Sequence, residues 1–101
     1  MRRTVLTILL LAPLPVQASS NNHSPDQLCH LRGSWAATVM SARQAGIPLS
    51  SQLHLENAPG AGTRDEILAA YEHPRFSTAP MQQRAVEDYR NEVELRCFKN
   101  Q

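Results

Sequence analysis

The sequence is short of the residues from which small functional sites are usually assembled. It has two cysteines, four glycines and four histidines, and its formal charge is +1. The histidines at 23, 30, 54 and 73 are scattered, and no pair has a spacing that would share a helical face. No second cysteine or histidine accompanies Cys29 or Cys97 at a metal-ligand spacing, so no metal is expected. No glycine-rich phosphate loop, nucleophile elbow or distinct pair of carboxylates is present, which argues against catalysis and against a cofactor. Basic and acidic residues are interspersed, and this excludes a nucleic-acid footprint. Long hydrophobic runs are missing too. The longest, TVLTILLLA at residues 4–12, is too short to cross a bilayer and is followed by Pro13 and Pro15.

What is present at the start reads as an export signal. A basic head, MRR, precedes that apolar run, and PLPVQA closes it with small residues at Val16 and Ala18. Residues 1–18 are therefore expected to be a signal peptide cleaved after Ala18, with the processed chain periplasmic or secreted and not stably inserted in the membrane. The Arg2-Arg3 pair is a feature of twin-arginine signals, but the short head and strongly apolar core favour the general secretory route. Residues 19–24 form a polar, unstructured lead, and 25–101 a single domain.

A domain of that size gains only a few kcal/mol from one hydrophobic core, so a covalent staple is expected. In an oxidising compartment the economical reading of Cys29 and Cys97 is one disulfide, worth roughly 4 kcal/mol by loop closure.

The remainder reads as all-α, a small bundle of three to four helices at about 25–45, 50–56, 64–72 and 79–98. Ser24 can cap the first, with Pro25 at its first position and Gln27 completing a capping box; Gly46 and Pro48 stop it. Residues 47–55 carry apolar residues at Ile47, Leu49, Leu53 and Leu55. They alternate as a strand would, yet also suit a short helix capped by Ser50, which is preferred. Residues 57–62 are a proline- and glycine-containing loop. Thr63 and Glu66 form a second capping box, Pro74 ends that helix, and Ser77 or Thr78 caps the last.

Joining Cys29 to Cys97 makes the first and last helices antiparallel neighbours. Residues at equal height then have numbers summing to about 126, the sum of the two cysteine positions. Val93 is placed opposite Gly33 and Val86 opposite Met40, and Trp35 is expected to pair with Tyr89. Arg32 and Arg43 fall inside the apolar stripe of the first helix. For Arg32, near Glu92 and Glu94, the expectation is a stem laid over apolar surface with its head in water. For Arg43 the alternatives are the same snorkelling or a fixed partner, either Glu72 or the carbonyls ending the Thr63 helix.

Three runs, VMSARQAGIPLS, AYEHPRFS and MQQRAVEDYRNEVELRC, carry a resemblance. Together the chain resembles a large group of short, uncharacterised bacterial and prophage-encoded exported proteins. These share a cysteine after the signal, an R-Q-x-G, an A-Y-E-x-P-R, and an asparagine separated by five residues from a closing cysteine. The resemblance implies an exported helical domain and no particular chemistry. This chain differs in having Leu49, Leu53 and Leu55 where methionines are common.

Two functions fit these readings. One is a non-catalytic module that binds or regulates an envelope protein, with Arg75 and Phe76 of the H-P-R-F turn as candidate anchors. A competing reading of Phe76 is a plug folded back into the core. The other function is a periplasmic stress chaperone that protects unfolded proteins, similar to small acid-protective proteins in size, helicity and single disulfide.

Overall fold

A computed structural model describes residues 24–56 and 62–101. The expected signal segment 1–18, the lead up to residue 23 and the loop at 57–61 lie outside the described residues. Four helices follow in order: α1 at Pro25–Gln44, α2 at Leu49–Leu53, α3 at Arg64–Glu72 and α4 at Ala79–Lys99. The described part is all-α, and its two long helices run antiparallel as closely packed neighbours.

The ends of α1 follow from its sequence. Ser24 Oγ accepts the Gln27 amide, and the Gln27 side chain accepts the Ser24 amide, so two donors otherwise left without partners at the helix start are satisfied. At the other end Ile47 N donates to Ala42 O and Gly46 N to Arg43 O. Gly46 sits at φ +82°, so this is a Schellman stop that a side chain would strain. Thr63 and Glu66 repeat the reciprocal cap at the start of α3.

Helix α2 is shorter than the expected 50–56, ending at Leu53, and the caps of α2 and α4 differ in kind from expectation. Helix α2 begins at Leu49 rather than Ser50 and has no side-chain cap. Pro48 supplies the entry instead: its fixed φ of −62° suits a helix start, and its carbonyl accepts the amides of Ser51 and Gln52. Thr78 caps α4 by backbone geometry alone, without a side-chain bond.

Cys29 and Cys97 are bonded, with Cα atoms 5.4 Å apart across a sequence separation of 68. The tie sets the height of α1 against α4 close to the expected register. It is Glu94, however, and not Val93, whose stem lies against Gly33: a Cβ on Gly33 would stand 2.4 Å from Glu94 Cγ. The two helices approach closely there because α1 has no side chain at that point.

One apolar cluster is shared among the helices. It comprises Ala36, Val39 and Met40 of α1, Ile67 and Ala70 of α3, and Tyr89 and Val93 of α4, with Leu49 and Leu53 of α2 packed against it. Fully burying a side chain such as Met40 or Ile67 contributes about 1.5–3 kcal/mol. The expected Trp35–Tyr89 pair is not what forms. Tyr89 meets the His73 ring edge-on at 5.3 Å, and Trp35 is half-buried beside Gly62. Equal height on two helices does not fix the direction in which each side chain leaves its axis.

Candidate functional site

The polar groups of the bundle gather at two places. The first is the junction of α1, α3 and α4 around Glu66. Arg32 is held there, which corrects the expectation of a snorkelling head near Glu92 and Glu94. Its Nε and Nη2 both donate to Glu66 Oε1, at 3.1 and 2.5 Å. Glu66 Oε2 accepts the Thr63 amide, and the Glu66 carbonyl accepts the Tyr89 hydroxyl at 2.6 Å. Glu92 and Glu94 instead face His73 and His30, at 3.5 and 3.6 Å. Desolvation pushes the Tyr89 phenol up to about 12; the carboxylates of Glu66 and Glu92 add to the rise, and Arg96 opposes it. A cleft of about 390 Å3 opens here, lined by Arg32, Asp65, Glu66, Arg96 and Asn100 among others. Its two arginines face two carboxylates, so no net charge is left over for an ionic ligand.

The second place is the H-P-R-F turn between α3 and α4, and it contains the sequence-derived candidates. Arg43 Nε donates to His73 O at 3.1 Å, and its guanidinium carbon lies 5.4 Å from the centre of the Tyr71 ring. Of the two partners considered for Arg43, the structure selects the carbonyl that caps α3. Glu72 is exposed and forms no bond to Arg43. Gln44 is only 3% exposed, and its amide grips the turn as a strand neighbour would. Nε2 donates to Pro74 O at 2.9 Å and Oε1 accepts Phe76 N at 2.8 Å. Arg75 reaches back, donating from Nε to Gln44 O at 2.9 Å. Its guanidinium lies over Gly46, where an added Cβ would be 2.9 Å from Cζ. Tyr71 completes the set by donating its hydroxyl to Ile47 O at 2.6 Å.

These bonds explain two of the motifs physically. The Arg43, Gln44 and Gly46 of R-Q-x-G and the Tyr71, Pro74 and Arg75 of A-Y-E-x-P-R lie about thirty positions apart and satisfy one another. Sequence reasoning missed Gln44 because a glutamine late in a helix normally reads as solvated. Its place immediately before the Schellman stop, level with the start of α4, is the signal that could have raised it.

The turn is held firmly, and its outer surface is open. Arg75 is exposed, Phe76 is half-buried, and with Ser77 and Gln82 they line a shallow groove of about 320 Å3. Phe76 thus neither plugs the core nor stands wholly free. Among the described residues, no group of three or more His, Cys, Asp and Glu is arranged to hold a metal ion, and no helix is long and apolar enough to cross a membrane. No protein-family model, curated protein or solved structure matches the chain.

Proposed function

We propose that this chain is a small exported module, periplasmic or secreted and of bacterial or prophage origin, that binds or regulates an envelope protein without catalysing a reaction. The observation that supports this reading most directly is the fixed H-P-R-F turn. Four hydrogen bonds join residues 43–44 to residues 73–76, so Arg75 and Phe76 are presented by an ordered backbone. A partner meeting them has less conformational entropy to remove, and arginine with an aromatic residue is a frequent interface anchor. A photo-crosslinker placed at Ser77 of the exported protein tests the proposal. One saturable envelope adduct, lost in Phe76→Ala while the domain stays folded, is expected; adducts that change with conditions would reject the module.

The stress-chaperone reading draws its support from the Glu66 junction. The Arg32–Glu66 pair ties α1 to α3 beside Ile67 and Ala70, and opening that junction would uncover these apolar residues for an unfolded client. Suppression of client aggregation at about pH 2–3 is the corresponding assay. Failure to suppress it discards this reading.

A further inference from the structure

We infer that the partner segment docking on the H-P-R-F turn is acidic, with carboxylate side chains meeting the outer edge of Arg75 and an apolar residue beside them resting on Phe76. This rests on the binding-module reading and adds the chemistry of the partner.

The inference comes from how charge is distributed at this end of the bundle. The end of α1 with α2 (residues 41–53) and the turn with the start of α4 (residues 73–83) contain Arg43, Arg75 and His73 but no carboxylate. The acidic residues bordering the turn are Glu72, the last residue of α3, and Glu92 of α4, which faces His73 at 3.5 Å; neither forms an ion pair with Arg75. At the disulfide end, by contrast, Asp26, Asp65, Glu66 and Glu94 offset Arg32, Arg64 and Arg96. Arg43 is spent internally on His73 O and the Tyr71 ring. Arg75 is only partly spent: Nε is committed to Gln44 O, and among the described residues the Nη groups have no hydrogen-bond partner. Its carbonyl contact and the glycine beneath it fix the plane of the guanidinium, leaving the outer fork available to a planar carboxylate. A lysine or a freely rotating arginine would have to be ordered first.

The surroundings suit a side chain as well as a charge. The groove of about 320 Å3 is bounded by Phe76, Ser77 and Gln82, and Gln82 is itself held by a 2.7 Å bond to Phe76 O. Ile47, directly after the glycine on which Arg75 lies, is 40% exposed. The site therefore offers one oriented cation, a hydroxyl and an amide beside the apolar surface of Phe76.

The test uses the isotope-labelled processed domain and a short synthetic peptide of glutamates flanking one phenylalanine. Glutamine and lysine versions of that peptide serve as controls. Saturable amide shifts at Arg75, Phe76, Ser77 and Gln82 are expected with the glutamate peptide, fading as salt rises. Arg75→Gln should weaken binding about tenfold, the loss of one charge-assisted contact. Because that variant also removes an internal bond, Ser77→Glu provides the second arm. The new charge sits on an exposed residue near the start of α4, where the helix dipole tolerates it, and it should abolish binding by repulsion without unfolding the domain. Equal binding of the glutamine peptide would overturn the inference. So would shifts spread over Arg84, Arg90 and Lys99, or binding to phosphatidylglycerol vesicles in place of the peptide. If the crosslink from position 77 to one envelope protein persists in Arg75→Gln, the module stands and its acidic partner does not.

Discussion

Replacing Gln44 with alanine tests the clamp between the end of α1 and the turn most directly. The substitution deletes one donor and one acceptor, each with a single well-placed backbone partner: Pro74 O at 2.9 Å and Phe76 N at 2.8 Å. Alanine is itself a good helix former, so α1 should not suffer from lost propensity. The cost comes from the two backbone groups left behind under cover. At about 1–3 kcal/mol for each uncompensated buried polar group, and with some water admitted to a partly buried site, about 3 kcal/mol is expected. For a domain near eighty residues this lowers Tm by about 12 °C or more. Thermal and urea unfolding followed by circular dichroism measure the loss, with Gln83→Ala on the exposed face of α4 as the reference. Hydrogen exchange supplies the local readout, because the Phe76 amide should lose its protection out of proportion to the rest. If Gln44→Ala is no worse than Gln83→Ala, or Phe76 exchange is unchanged, the clamp does not stabilise the turn.

Three further outcomes follow from the same contacts. Arg32→Ala should cost about 2 kcal/mol, less than for a wholly buried pair because the Arg32 side chain is 40% exposed, whereas an effect below about 0.5 kcal/mol in urea unfolding would mean that its head is effectively solvated. Removing the disulfide through Cys29→Ser with Cys97→Ser should lower stability by roughly 4 kcal/mol, and a loss under about 1 kcal/mol would show that the α1–α4 packing holds without it. Alkali should destabilise the fold through Tyr89. The folded phenol keeps its proton to about pH 12 while the unfolded one releases it near 10, so stability is full below about pH 10 and falls towards 12 at up to about 1.4 kcal/mol per pH unit. Tyr89→Phe should start less stable yet show a flatter pH dependence over that range, and parallel curves for the two proteins would contradict the assignment.

Both capping boxes, the Gly46 stop and the all-α class could be read directly, because each depends on residues within a few positions of one another. The disulfide and the antiparallel pairing of α1 with α4 followed from having two cysteines and the fixed rise of a helix, which placed the register within one residue at Gly33. Rotation about the helix axes was not available in this way. Tyr89 therefore turned to His73 rather than Trp35, and Glu94 rather than Val93 came to lie at Gly33.

Glu66 shows the limit most clearly. Its spacing from Thr63 announced one role, the cap of α3, and nothing local announced the second, holding Arg32. That role requires α3 to cross α1 at one height, which the packing of Ile67 and Ala70 against Ala36, Val39 and Met40 decides. Sequence alone thus determined the helices, their ends and the covalent tie, since these are short-range or stoichiometric constraints. Only tertiary packing decided which polar groups meet across helices and which arginine edge is left facing solvent, because those outcomes depend on relative positions of elements that no local spacing encodes.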